Sequence, residues 1–156
     1  MASAMCFTLR LHMSAAPTQG GLTQALGAMT DSRVITGIEF DWFATDRDGH
    51  IALFATAGSG PTPASVLALV EAHAFVGDSV EIEGWGTKSV WESYARVGLY
   101  AYDWSDSQGL YVRQAEPAAP LANNVATAVA SIRNVPRLAS LFSQATAIAP
   151  DWQDGT

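Results

Sequence analysis

Cysteine is almost missing from this chain: Cys6 is the only one in 156 residues. An internal disulfide and any multi-cysteine zinc site are thereby excluded. Lysine is just as scarce, with Lys88 alone, and Lys and Arg together number 8 against 15 Asp and Glu. No basic run exists. Binding to a phosphate backbone relies on clustered Lys and Arg that release counterions, so nucleic acid is not expected as a direct partner. The three histidines, at 12, 50 and 73, show no His-x3-His pair, and neither a metal site nor a cofactor is implied. A run of about 18 apolar residues is also lacking, so no membrane-spanning helix is expected. The first 30 residues have no acid, and their single basic residue, Arg10, lies inside the most apolar stretch instead of before it. That order does not read as a signal peptide, and the expectation is a cytoplasmic protein.

What is present is a chain with 49% hydrophobic residues, enough to build a sizeable core in one domain. Residues 1–30 read as a flexible extension, 31–150 as a single domain and 151–156 as a frayed tail. The natural start is left open between Met1 and Met29. The acid excess belongs to the folded part, because residues 1–28 hold one Arg and no acid, which leaves 15 acids and 7 bases, or −8, in the other 128.

Residues 34–44 alternate in polarity, with Ile38, Phe40 and Trp42 on one parity, which predicts a strand. The Asp48-Gly49 turn returns it into a second strand, 50–57. Thr62-Pro63 starts a helix over 64–76 that Gly77 ends. A short strand is predicted at 79–83 and a second helix at 88–96, with Thr87 as its cap and Gly98 as its stop. Residues 99–103 and 109–115 form a second hairpin. A third helix runs over 121–132, and 137–148 reads as either a helix or a closing strand. The hairpins echo one another, each placing an aspartate before a tryptophan: Asp41-Trp42 and Asp103-Trp104. This order predicts an α+β fold, an antiparallel sheet built from two hairpins and packed against two or three helices.

No catalytic signature is found. Asp46-x-Asp48-Gly49 resembles part of a calcium loop, but the loop's first and twelfth positions would be Ala44 and Ala55, so a hairpin turn is the better reading. The Gly-x-Ser-x-Gly elbow and a phosphate loop with Gly-Lys-Ser/Thr are absent. His73 follows Glu71 by two residues and cannot share its helix face, which favours a structural histidine.

The acids of the central region are interleaved with Trp42, Trp85, Trp91, Trp104, Tyr94, Tyr100, Tyr102 and Tyr111. Tryptophan and tyrosine dominate binding hot spots, and opposite charge speeds encounter, so this pattern suits docking of a basic protein. Asp46, Asp48, Trp85, Glu92, Asp103 and Asp106 form the expected docking set. An alternative is a small-ligand binder or enzyme with a carboxylate pair in a pocket between the sheet and the second helix, using Asp41, Glu83 or His73. A third is a homodimer that buries the aromatics against a second copy.

One resemblance bears on these choices. Residues 40–46 (Phe-Asp-Trp-Phe-Ala-Thr-Asp), 49–54 (Gly-His-Ile-Ala-Leu-Phe), Gly58-Ser59-Gly60-Pro61-Thr62-Pro63, 98–103 (Gly-Leu-Tyr-Ala-Tyr-Asp), Tyr111 and Pro117-x-x-Pro120-Leu121 are similar in layout to small bacterial proteins that resemble immunity proteins of polymorphic toxin systems. Over residues 36–121 the resemblance implies stoichiometric inhibition of a toxin, without catalytic residues.

Overall fold

The computed structural model describes residues 37–151. The extension over 1–30, with Cys6, His12 and Met29, lies outside the described residues, as do the tail residues 152–156.

The chain builds a five-stranded sheet in the order β1-β2-β3-β4-β5, with β1 at Asp41–Thr45, β2 at Ile51–Ala55, β3 at Tyr100–Ser105, β4 at Leu110–Ala115 and β5 at Ala147–Ile148. Among the described residues four helices accompany it: α1 (Ala64–Leu67), α2 (Val70–Asp78), α3 (Ser89–Arg96) and α4 (Asn123–Ser131). The fold is α+β, but the sheet is mixed. β1 pairs antiparallel with β2 and β3 with β4, while β2 and β3 run parallel. Parallel neighbours need a long crossover, and residues 56–99 supply it with three helices.

Both faces of the sheet are covered, and they are covered differently. β2 lies between β1 and β3, so all five of its residues are buried and its sequence is a continuous apolar run. On one face Phe43, Leu53, Ala55 and Ala101 pack with Val76, Val90, Tyr94, Val125 and Val129 of the helices. On the other Trp42, Phe54, Tyr100, Tyr102 and Tyr111 pack with Leu138, Phe142 and Ile148 of the C-terminal segment. The register places Trp42, Phe54 and Tyr102 side by side across three strands. Their rings form a stacked row, 4.3 Å from Trp42 to Phe54 and 5.1 Å from Phe54 to Tyr102. Beside this row lies Ala44–Ala52–Tyr100, whose two small residues leave room for Phe142; its ring meets those of Phe54, Tyr100 and Tyr102.

Three local expectations are corrected by this layering. The helix expected over 64–76 is broken at Ala68-Leu69, because Val66 of α1 packs on the aromatic face and Val76 of α2 on the helix-covered face. The chain turns there to pass from one side of the sheet to the other. Residues 79–83 alternate as expected, with Val80 buried and Glu81 and Glu83 exposed, but they pair with no strand and form a strap whose Glu83 N–H donates to Ser93 Oγ. Residues 137–148 are neither a helix nor a full strand; Ala147–Ile148 joins the sheet as a short strand against β4, and Arg137 makes a single parallel bridge to Thr45 of β1.

Two of the local signals hold and two shift: Gly49 and Gly98 turn the chain as expected, whereas Gly77 lies inside α2, which runs on to Asp78, and Lys88, not Thr87, stands at the cap position of α3. Gly49 adopts φ +85 in the β1–β2 turn. Gly98, also at φ +85, ends α3, and a Cβ there would sit 2.5 Å from the backbone nitrogen of Leu121. Thr87 Oγ1 accepts the Ser89 N–H at the start of α3.

Candidate functional site

The expected docking set does not form one patch. Asp46 and Asp48 lie in the turn at one end of the β1–β2 pair. Asp103 stands level with Ala55 and Asp41 at the other end, and Asp106 lies just beyond it in the β3–β4 turn. Four residue steps of strand separate Asp41 from Thr45, or about 13 Å.

Asp46 is a corrected assignment, since its carboxylate is buried and faces inward. Oδ1 accepts the backbone N–H groups of Asp48 and His50; Oδ2 lies 3.0 Å from His50 Nδ1 and accepts the Phe142 N–H at 3.0 Å. Burial pushes this carboxyl up, but the hydrogen bonds from Phe142 and His50 pull it down further, and the net effect is a lowered pKa. Asp46 thus fixes the turn and ties the C-terminal segment across the aromatic face. Asp48 is exposed. Asp106 is exposed too, and its Oδ1 accepts from Ser59 Oγ at 2.8 Å and from Trp104 Nε1 at 2.7 Å.

Most of the aromatics interleaved with the acids are core, and Trp85, the one aromatic of the docking set, is not. Trp42, Tyr94, Tyr102 and Tyr111 are buried, and Tyr111 donates its hydroxyl to the Pro61 carbonyl at 2.9 Å. Trp85 is the exception, at 50% exposure. It sits between Gly84 (φ +66) and Gly86 (φ +78), in a loop closed by Thr87 N–H and Thr87 Oγ1, which both donate to the Gly84 carbonyl. The positive φ angles on either side turn the backbone sharply, as glycine readily permits. Around it along the chain, Glu71, Asp78, Glu81, Glu83 and Glu92 are all exposed, and Lys88 is the single cation from 71 to 92. Phe75, at 68% exposure, belongs to the same segment. The signal for this region was in the sequence as Gly84-Trp85-Gly86 among acids; reading 79–83 as a strand concealed that Glu81 and Glu83 flank an exposed loop.

The residues of the carboxylate alternative also separate. His73 is buried; its Nδ1 accepts the Phe43 N–H at 3.1 Å, and burial holds its pKa down to about 4. This histidine covers the outer edge of β1, a position that would otherwise offer an unpaired donor to another strand. Glu83 pairs with Arg96 at 2.9 Å. Asp41 accepts the Tyr94 hydroxyl at 3.0 Å, and burial, with Glu39 and Asp103 adding repulsion, raises its pKa to about 7. Burial followed by Glu39 raises Asp103 to about 6. Asp41 and Asp103 flank Ala55 from two strands apart, which sets their backbones about 10 Å from each other. Among the described residues no three His, Cys, Asp or Glu converge to hold a metal ion. A cavity of 420 Å³ opens between α3 and β4, lined by Lys88, Trp91, Glu92, Ala95, Gln114, Ala115 and Glu116, and it includes neither aspartate. No helix among the described residues is long and apolar enough to cross a membrane.

No protein-family model, curated protein or solved structure matches the chain.

Proposed function

We propose that this protein is a non-catalytic binding module that docks a basic protein partner, in the manner of the immunity-type inhibitors its sequence resembles, and that the docking surface is the α2–α3 segment around Trp85. The observation that carries this reading is a half-exposed tryptophan on a glycine-flanked loop, within a segment of five exposed acids and two cations, Lys88 and Arg96, of which Arg96 is paired with Glu83. An aromatic anchor among opposite charges supplies the two terms a tight, fast complex needs: a large desolvated contact and steered encounter. Of the docking set expected from the sequence, Trp85 and Glu92 belong to this surface; Asp46 is occupied inside the fold. The carboxylate-pair alternative draws support from the raised pKa values of Asp41 and Asp103. It is the weaker reading, because their backbones stand apart and His73 and Glu83 are engaged elsewhere.

Co-purification from the native host at low salt tests the proposal, followed by calorimetric titration with the retained protein. The expected partner is basic and is released as salt rises. Trp85→Ala weakens the complex at least about 30-fold, in keeping with a hot-spot aromatic, while Asp46→Asn leaves the affinity of the folded fraction unchanged. Retention of no basic protein, or a partner indifferent to Trp85→Ala, would overturn the assignment.

A further inference from the structure

The cavity between α3 and β4 begins at Lys88, three residues along the chain from Trp85. Lys88, Trp91, Glu92 and Ala95 follow one another at i, i+3, i+4 and i+7, the spacing of a single helix face. Gln114, Ala115 and Glu116 line the other side, from the end of β4 and the connector after it. Ala95 and Ala115 carry only methyl groups, so neither fills the space between the two elements. Trp91 is half-buried, with its ring tilted against Tyr94 at a centroid distance of 6.2 Å.

The walls of this cavity are fastened together. Ala118 N–H donates to the Ala95 carbonyl and Ala122 N–H to the Val97 carbonyl, both at 2.9 Å, which ties the connector after β4 to the end of α3. Arg113 holds Glu116 Oε1 at 2.7 Å and is itself held on the Phe142 carbonyl at 2.9 Å. A carboxylate has about four acceptor positions, so Glu116 keeps capacity for a second donor. Gln114 donates Nε2 to the Val112 carbonyl at 3.3 Å and carries an acceptor in its Oε1. Glu92 is exposed on the helix opposite. The lining therefore combines an indole, two carboxylates and a carboxamide, with one ammonium, Lys88, at the end nearest Trp85.

We infer that this cavity seats an arginine side chain of the basic partner, an assignment that rests on the docking reading above. A guanidinium is planar and weakly hydrated, stacks on an indole and presents five donors in one plane, so a single group serves Trp91 and the carboxylates on both walls. A lysine ammonium is a compact, strongly hydrated charge and uses the same lining less well. An anion meets two carboxylates against one ammonium. Lys88 opposes a seated cation and would favour an anion, so its removal has opposite signs for the two.

The test is an NMR titration of the full chain with N-acetyl-arginine amide, read at the Trp91 indole N–H and the Gln114 carboxamide. Half-saturation is expected at roughly 1–10 mM, the range of a small ligand with one stacked and one or two charged contacts. N-acetyl-lysine amide should bind at least about twofold more weakly, and N-acetyl-glutamate amide should give no saturable shift. Glu92→Gln combined with Glu116→Gln should weaken arginine amide about fivefold, and Lys88→Ala should tighten it about twofold. All three side chains are exposed, so these variants keep the core intact. Absence of a saturable shift, an equal response to the glutamate amide, or weakening by Lys88→Ala overturns the arginine seat. In the complex with the retained partner, the double variant should lose about tenfold in affinity. A partner that responds to Trp85→Ala but not to the double variant overturns the seat and leaves the docking surface standing. Arginine-selective shifts in a protein that retains no partner overturn the docking reading and leave the selectivity of the cavity standing.

Discussion

The two faces of one sheet solve the same problem with different materials. The helix-covered face is aliphatic, sealed by side chains of α2, α3 and α4, and its polar groups, His73 and the Asp41–Tyr94 pair, sit at strand positions within it. The aromatic face has only α1 from the helices; its cover is an irregular segment whose backbone must be satisfied by the rest of the molecule. Asp46 receives Phe142 N–H, Arg113 donates to the Phe142 carbonyl, Tyr102 donates to the Ala145 carbonyl at 2.8 Å, and Thr45 exchanges bonds with Pro136 and Leu138. A helix brings its hydrogen bonds with it, whereas a loop over a core borrows them. Sensitivity to mutation follows from that difference: the aliphatic face is exposed to pH through a few groups, the aromatic face to the loss of single anchors.

The largest break in the comparison is expected from Trp42→Ala. It removes one end of the stacked row and its edge contact with Tyr111, and should cost about 3–5 kcal/mol, read by urea denaturation. His73 tests the opposite face. The unfolded chain takes up a proton near the usual 6.5 and the folded chain only near 4, so stability is full above 6.5 and drains as pH falls between the two values. The loss should reach about 3 kcal/mol in urea titrations from pH 7 to 4. His73→Asn, which keeps an acceptor but cannot charge, should flatten that difference; the same acid slope in the variant would show that the imidazole is not its source. The smallest effect should come from Asp46→Asn, about 1–3 kcal/mol, because it turns charge-assisted bonds into neutral ones and misplaces a donor. Its signature should be local: faster exchange of the Phe142 amide, with the α2 and α4 amides unchanged.

Much of this layout was legible in the sequence, and the illegible parts share a cause. Turns and stops are local decisions, so Asp48-Gly49 and Gly98 could be placed from the residues alone. The echo of Asp41-Trp42 in Asp103-Trp104 was also visible, and the register gives it meaning: both aspartates fall on the helix-covered face, while Trp42 and Trp104 join the aromatic side. The parallel joint between β2 and β3 was not visible, since nothing in either run records which neighbour it meets; the partners Ala52 and Tyr100 are far apart in the chain. Asp46 read as a surface turn residue because its partner, Phe142, is 96 positions away. Trp85 entered the expected docking set as one of many aromatics among acids, and the acids that flank it were assigned to a strand by an alternation that in fact serves a strap.

That 96-residue separation has a consequence for how the protein is made. A ribosome adds about 5–20 residues per second, so roughly 5–20 s pass between the synthesis of Asp46 and that of the amide that will satisfy it. By the end of that interval every helix that covers the aliphatic side has been made, yet the Trp42–Phe54–Tyr102 row still lacks Phe142. The newborn protein is thus lopsided, finished on one side and sticky on the other. Until Phe142 is made, that face of the sheet is open to its neighbours.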